Sequence, residues 1–367
     1  MSAFRGKSYP LNTAQPYPFE QWWIAAYSGE ITRRPLQRTI LDRPLVFYRT
    51  EGGEAVALAG LCPHRLYPLV KGRLQNDAIQ CGYHGFTYDK TGRCIHIPSQ
   101  DRVPPKFGVR RYPSIERGGV IWVWTGDTLA DSSRLSNLHS IGLDGPGWTV
   151  EHHPLTTVKA RYQLLIDNLL DLSHISFVHA MSIPGGGSVV HIPVEIVDSA
   201  GSLNVRRIGR GLPNNPYLKF LFPEHDGPVD QDFDAEYLGP HLIRTGGAIH
   251  ASGAVDPSAP RELGVTNFLH GITPETPSSV HYFVMTARNF RAADPAIGAA
   301  NIHMGTLIQP EDVAVIESIE CNVDRFADTR RELSCAADAG AIAVRRRLAA
   351  QIRAERQERA AAAPIAN

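Results

Sequence analysis

The chain has 367 residues, 43% hydrophobic and 20% charged, with lysine plus arginine and aspartate plus glutamate balanced at 37 each. That length suits about two domains, and zero net charge gives no general reason to bind nucleic acid or an acidic membrane. Residues 1–7 lack the apolar core of a signal peptide, and no run approaches the ~18 apolar residues of a membrane span. Five cysteines, an odd number, point to reduced thiols in a cytoplasmic setting rather than to a disulfide framework.

Residues 1–18 are proline-rich (Pro10, Pro16, Pro18) and predict an ordered arm, after which residues 19–26 open the fold. The β-rich runs 45–49 and 55–59, joined through Glu51-Gly52-Gly53, predict a hairpin. The second run leads into Cys62-Pro63-His64-Arg65. A strand at 78–80 leads into Cys81-Gly82-Tyr83-His84. Residues 86–88 and 94–97 flank Lys90-Thr91-Gly92-Arg93, a second hairpin, and 120–124 is the last strong strand of this half. The pattern predicts a small all-β domain over residues 1–135, a turn-rich linker at 136–147, and a second domain over 148–367.

Two Cys–His pairs, C-x-H and C-x-x-H, stand sixteen residues apart. Two thiolates and two imidazoles can hold a structural zinc or a [2Fe–2S] cluster in which a histidine pair serves one iron. Zinc fingers usually pair Cys with Cys and His with His. Here each pair is mixed, which suits two irons with different ligand types. Pro63 stiffens the first loop, and Gly82 and Gly85 free the second. No role is expected for Cys94, Cys321 or Cys335.

In the second half, residues 162–181 predict helix, followed by a glycine-rich loop at 184–187. Strands are expected at 189–197, 203–208, 242–251, 264–270 and 280–287, spaced as in one antiparallel sheet. Residues 212–240 read as a long irregular segment, of the kind that forms lids or binding loops. Helix resumes from Ile308. Residues 330–359 predict an Ala/Arg-rich helix with Val344, Leu348 and Ile352 on one stripe and a solvated basic face.

The segment 167–179 carries two His and two Asp. Two imidazoles and a carboxylate make the facial triad of mononuclear Fe(II) sites. His174 and His179 are five apart, an offset of about 140° on an ideal helix, so both reach one metal only if the helix ends or distorts between them. Asp171 shares a face with His174 and suits a residue that orients an imidazole. Asp167 reads as an N-terminal helix charge.

The string from Cys62-Pro63-His64-Arg65 to Cys81-Gly82-Tyr83-His84-Gly85-Phe86 resembles the cluster motif of Rieske non-haem iron oxygenases. Respiratory Rieske proteins carry an extra cysteine after each pair, and none follows near Tyr67 or Phe86. Asn168, Asp171, His174 and His179 match the N-x-x-D-x-x-H-x4-H segment of the oxygenase catalytic subunits. The resemblance implies His174 and His179 as iron ligands. It also implies that Asp171 bridges His174 to a cluster histidine, expected to be His84, of a neighbouring subunit in a homotrimer. The third ligand should be a carboxylate opening a late helix. Asp312 shares a face with Val315, Ile316 and Ile319 and is preferred to Glu311, because a carboxylate on an apolar face needs a partner such as a metal. His270-Gly271-Ile272-Thr273-Pro274-Glu275-Thr276 resembles aromatic O-demethylases, which implies His270 in the substrate pocket.

The family's fold is α+β, an all-β Rieske domain followed by an antiparallel-sheet-and-helix (helix-grip, START-like) catalytic domain. Its function would be that of a terminal monooxygenase with a [2Fe–2S] cluster and a mononuclear Fe(II). It would use O2 and electrons from NAD(P)H, passed on by a separate reductase or ferredoxin, since no convincing dinucleotide fingerprint is present. O- or N-demethylation of an aromatic or heteroaromatic compound is the expected reaction, with ring or side-chain hydroxylation as the alternative. A Rieske electron carrier is disfavoured because it would leave the second domain unexplained.

Overall fold

The computed structural model describes residues 16–183, 186–199, 201–253, 262–326 and 332–362. Most of the expected arm, part of the glycine-rich loop and the first residues of the expected last helix lie outside the described residues. The chain divides into two compact units, Phe19–Leu135 with Thr273–Pro277, and the remainder.

The first unit is built from strands. These are Trp22–Tyr27 (β1), Leu36–Ile40 (β2), Arg43–Arg49 (β3), Ala55–Ala59 (β4), Arg73–Gln75 (β5), Ala78–Gln80 (β6), Thr87–Tyr88 (β7), Cys94–His96 (β8), Arg111–Tyr112 (β9), Ser114–Arg117 (β10) and Val120–Trp124 (β11). They form three sheets, ordered β1-β11-β10, β2-β3-β4-β9 and β5-β6-β7-β8. Both expected hairpins form, β3 with β4 and β7 with β8. Aromatic and β-branched residues suit these half-buried pleated surfaces, and Val46, Tyr48, Val56, Leu58, Ile79 and Tyr88 make a core that also holds Cys62 and Cys81.

The second unit contains one eight-stranded sheet. Its strands are Thr149–His152 (β12), Thr156–Val158 (β13), Glu195–Asp198 (β14), Leu203–Leu212 (β15), Val229–Gly239 (β16), Leu242–Ala251 (β17), Glu262–Thr276 (β18) and Ser279–Arg288 (β19). The order is β12-β19-β18-β17-β16-β15-β14, with β13 also on β19. The helices are Tyr162–Leu170 (α1), Pro216–Leu221 (α2), Pro295–Phe326 (α3) and Ala339–Ala362 (α4), and α1 packs on β16, β17, α3 and α4. Residues 136–147 are packed rather than a bare tether: Leu138, Ile141 and Leu143 are buried, and Asn267 donates to the Ile141 carbonyl at 2.9 Å.

Several expectations need correction. The segment 212–240 is not irregular, since it holds α2 and β16. The sequence hides β16 because acids alternate along it. Asp230, Asp232, Asp234 and Glu236 each meet an arginine of a neighbouring strand, from Arg206–Asp232 and Arg244–Glu236 at 3.0 Å to Arg210–Asp230 at 3.5 Å. Such cross-strand pairs contribute roughly 0.2–1 kcal/mol each, enough to offset the low strand propensity of acids, on a scale spanning about 1 kcal/mol.

The late helix begins at Pro295, not Ile308, because the Asp294 side chain accepts from Ala296 N at 2.9 Å and Pro295 fits the first turn. The strand expected over 189–197 forms only from Glu195, because residues 186–191 make a 3-10 turn; Ser176 Oγ takes the Val190 N–H at 2.9 Å. The last helix starts at Ala339, and Val344, Leu348 and Ile352 are buried on it as expected. Its basic face is only partly solvated. Arg345 grips Asp167 at 2.7 Å, so Asp167, near the C-terminal end of α1, is no N-terminal helix charge.

Candidate metal centres

The two Cys–His loops have the same construction. Cys62 N–H donates to Tyr67 O at 2.9 Å and Leu66 N–H to Cys62 O at 2.8 Å. Cys81 N–H donates to Phe86 O at 2.8 Å and Gly85 N–H to Cys81 O at 3.1 Å. In each loop the fifth residue has a left-handed backbone, φ 54° at Leu66 and 73° at Gly85. A glycine adopts this without strain and a leucine does not. Gly82 is needed for a different reason: a Cβ there would stand 2.7 Å from the Lys71 carbonyl.

Each loop therefore offers one sulfur and one imidazole. Both sulfurs are buried, which raises the Cys62 thiol above its ordinary value. The His64 and His84 rings lie 4.6 Å apart, and Phe86 stacks on His64 at 4.8 Å. His64 Nδ1 is buried without a hydrogen-bond partner. An orphaned buried nitrogen beside two buried thiols fits a metal cluster, since a polar atom is otherwise costly to bury. The Tyr88 hydroxyl lies 3.1 Å from Cys62 Sγ.

The second centre lies where α1 ends. The predicted helix over 162–181 stops at Leu170 because Asp171 leaves helical geometry (φ −104°, ψ 85°) and its carboxylate caps a 3-10 turn, Leu172–Ser176, by accepting from Ser173 N at 3.0 Å and Ser173 Oγ at 2.6 Å. That break lets histidines five apart converge. Asp171 orients His174 through its main chain, because His174 Nδ1–H donates to the Asp171 carbonyl.

Asp312 lies within α3, downstream of Pro310, rather than at a helix start. It is buried along with Ile316 and Glu320, whereas Ile319, expected on that face, is exposed. His174 Nε2, His179 Nε2 and Asp312 Oδ1 come together, the two nitrogens 3.5 and 3.0 Å from the oxygen, and Asn168 Nδ2 donates to the same oxygen at 3.2 Å.

In the sequence Glu311 stands only as a rival to Asp312. Its carboxylate instead accepts from His179 Nδ1 at 2.7 Å and Ser182 Oγ at 2.6 Å. His179 is thus flanked by carboxylates at both nitrogens. Burial works against its charged form, but Asp312 and Glu311 outweigh burial and raise its pKa. A cation among two imidazole nitrogens and a carboxylate meets the same electrostatic demand, and the donor set fits a mononuclear iron.

His270, on β18, is buried. Its Nε2 is 2.8 Å from Thr245 Oγ1 on β17, and its Nδ1 is 2.6 Å from the Tyr282 hydroxyl on β19. Burial pushes its pKa down to about 3, and Asp312 and His153 are its main electrostatic neighbours. His153 is likewise buried against Thr286 Oγ1 at 2.8 Å and pushed down to about 4, mainly by burial. No simple signal marked His153 in the sequence.

Two family models match the chain, the Rieske [2Fe-2S] domain over residues 21–113 and the vanillate O-demethylase oxygenase C-terminal domain over 158–354. The chain belongs to the Rieske non-haem iron oxygenases. It is 34% identical to the oxygenase component of dicamba O-demethylase from Stenotrophomonas maltophilia, over 82% of this chain and 87% of that one. It is 33% identical to the vanillate O-demethylase oxygenase subunit of Pseudomonas sp. strain HR199, over 95% and 99%. A crystal structure of dicamba monooxygenase with non-heme iron and dicamba superimposes with a TM-score of 0.76 at 29% identity, covering 94% of this chain and 98% of that one. This Rieske oxygenase is an oxidoreductase with a [2Fe–2S] cluster and a mononuclear iron, and it acts as one component of a multi-protein system. No helix among the described residues is long and apolar enough to cross a membrane.

Proposed function

We propose that this oxygenase removes a methyl or other small alkyl group from oxygen or nitrogen of an aromatic or heteroaromatic substrate. The reading assigns Cys62, His64, Cys81 and His84 to the cluster, within a domain ending near residue 135. It assigns His174, His179 and Asp312 to the mononuclear iron of a catalytic domain over 148–367, with 136–147 joining the two. The single observation behind it is the convergence of two Nε2 atoms and one carboxylate oxygen within 4.8 Å, in a chain akin across 95% of its length to a vanillate O-demethylase. The protein would work in the cytoplasm as a homotrimer, fed by a reductase or ferredoxin that oxidises NAD(P)H.

Bound at these sites, the cluster stores an electron and the iron activates O2. The chain's own residues do the rest. Asn168 holds Asp312 in place, and the Asp171 carbonyl fixes the His174 tautomer so that Nε2 faces Asp312. The Asp171 carboxylate would link His174 to His84 of the adjoining protomer. His270, kept neutral by burial and with both ring nitrogens held by Thr245 and Tyr282, would form part of the pocket wall without adding a charge. Hydroxylation of an O-methyl carbon gives a hemiacetal, which collapses to a phenol and formaldehyde.

Reconstitution with a reductase, NADH and a panel of methoxy- and N-methyl-arenes tests the reading. Formaldehyde released in step with the demethylated product is expected. NADH consumption that yields only peroxide across the panel, or a ring-hydroxylated product with the methyl group retained, contradicts it.

A further inference from the structure

We propose that Glu311 is a positioning residue: its carboxylate fixes the ring orientation and tautomer of His179 so that Nε2 faces Asp312. The proposal rests on the reading of His174, His179 and Asp312 as the iron's ligands. Neighbouring positions on a helix point about 100° apart, and the His179 ring fits between the side chains of Glu311 and Asp312. Its Nδ1 lies 2.7 Å from Glu311 Oε2 and its Nε2 lies 3.0 Å from Asp312 Oδ1. With the Nδ1 proton held by Glu311, only Nε2 can turn its lone pair toward the metal side. Ser182 Oγ donates to the same glutamate oxygen at 2.6 Å and fixes the carboxylate in turn.

The two histidines are held unequally. His174 Nδ1–H donates to a main-chain carbonyl, a neutral acceptor, and His179 Nδ1–H to a carboxylate. A side-chain acceptor fixed by Ser182 holds the ring from outside its own turn, so His179 depends on Glu311 for its orientation as His174 does not. The plain alternative is a surface ion pair. Glu311 keeps 35% of its side chain exposed, and exposed pairs contribute little. Its partner decides the matter: the His179 side chain is 2% exposed, so the loss of Glu311 would leave a buried N–H without an acceptor and a ring free to turn.

The test uses cluster-loaded protein from which the mononuclear iron has been chelated, titrated anaerobically with Co(II) while the visible ligand-field bands are recorded. Wild-type protein should bind Co(II), and His174→Ala should not. Glu311→Ala should weaken Co(II) binding by about 10–100-fold and shift its bands, with the cluster spectrum unchanged. Glu311→Gln keeps an acceptor oxygen at the same reach and should recover most of the loss. Co(II) affinity within about twofold of wild type in Glu311→Ala, or equal losses in the Gln and Ala variants, overturns the positioning role alone. Should Glu311→Ala fail to fold, Glu311→Gln and Ser182→Ala carry the test: the Ser variant should bind Co(II) more weakly than wild type with shifted bands, and unchanged binding overturns the proposal. A wild type that takes up no Co(II), or takes it up equally after His174→Ala, brings down the ligand reading and this proposal with it.

Discussion

The Tyr88 hydroxyl and the Cys62 sulfur lie 3.1 Å apart, and both residues are buried. Once the sulfur is a thiolate, the hydroxyl is the donor. Hydrogen bonds to cluster sulfurs stabilise the reduced, more negative form and raise the reduction potential. Tyr88→Phe should therefore lower the midpoint potential of the cluster by some tens of millivolts while leaving its absorption bands in place. Spectroelectrochemistry on both proteins checks this, and an unchanged potential would show that the contact has no electronic consequence.

Asp171 has two separable functions. Its carbonyl orients His174, and its carboxylate caps the turn through Ser173. Asp171→Asn leaves the carbonyl and one accepting oxygen intact. The variant should retain both metals and its melting temperature but lose turnover, because an amide cannot replace the carboxylate in the proposed link to His84. Turnover equal to wild type would remove that role.

Arg345 holds Asp167 and Glu332, at 2.7 and 2.6 Å. Asp167 is buried deeply enough that burial raises its pKa to about 6 despite the arginine. Removing one member of a buried pair typically costs about 3–5 kcal/mol. Arg345→Ala should lower stability in urea unfolding by roughly that order, and adding Asp167→Asn should restore part of it. A double variant no better than the single would mean that lost arginine packing, rather than a stranded charge, is the cause.

Three histidines are buried in neutral form. Burial pushes His241 and His270 down to about 3 and His153 to about 4. Their folded pKa values lie below the unfolded value of about 6.5, so below that pH the unfolded chain binds protons that the native chain does not. Their contribution to stability should be full above about pH 7 and fall as pH drops, by up to about 1.4 kcal/mol per unit for each histidine, opposed by Asp167 and His179, whose raised pKa values act with the other sign. NMR titration of the imidazoles between pH 7 and 5 checks the neutral state, and any of the three protonating near pH 6.5 would contradict it.

The cluster loops were legible because their chemistry is local. Cys62, His64, Cys81 and His84, with Pro63, Gly82 and Gly85 shaping their loops, sit within 24 positions, and the flanking strands alternate plainly. The histidine pair was legible as residues but not as geometry. Nothing in the composition of 162–181 says that the helix ends at Leu170; the carboxylate of Asp171 capping the next turn decides it. The strand β16 was hidden because its acids are stabilised by arginines on β15 and β17, partners that a single segment does not display. The late helix, expected from Ile308, starts one long stretch earlier: Asp294-Pro295 marks its true beginning, and Pro310 lies inside it.

One chain should carry both a two-iron cluster and a separate iron. Iron and acid-labile sulfide measured on anaerobically purified protein test this most directly. About three irons are expected for every two sulfides, falling to about two for two in Asp312→Ala with the cluster absorption retained. Equal iron and sulfide in wild-type protein prepared with excess Fe(II), or a ratio unaffected by Asp312→Ala, would contradict it.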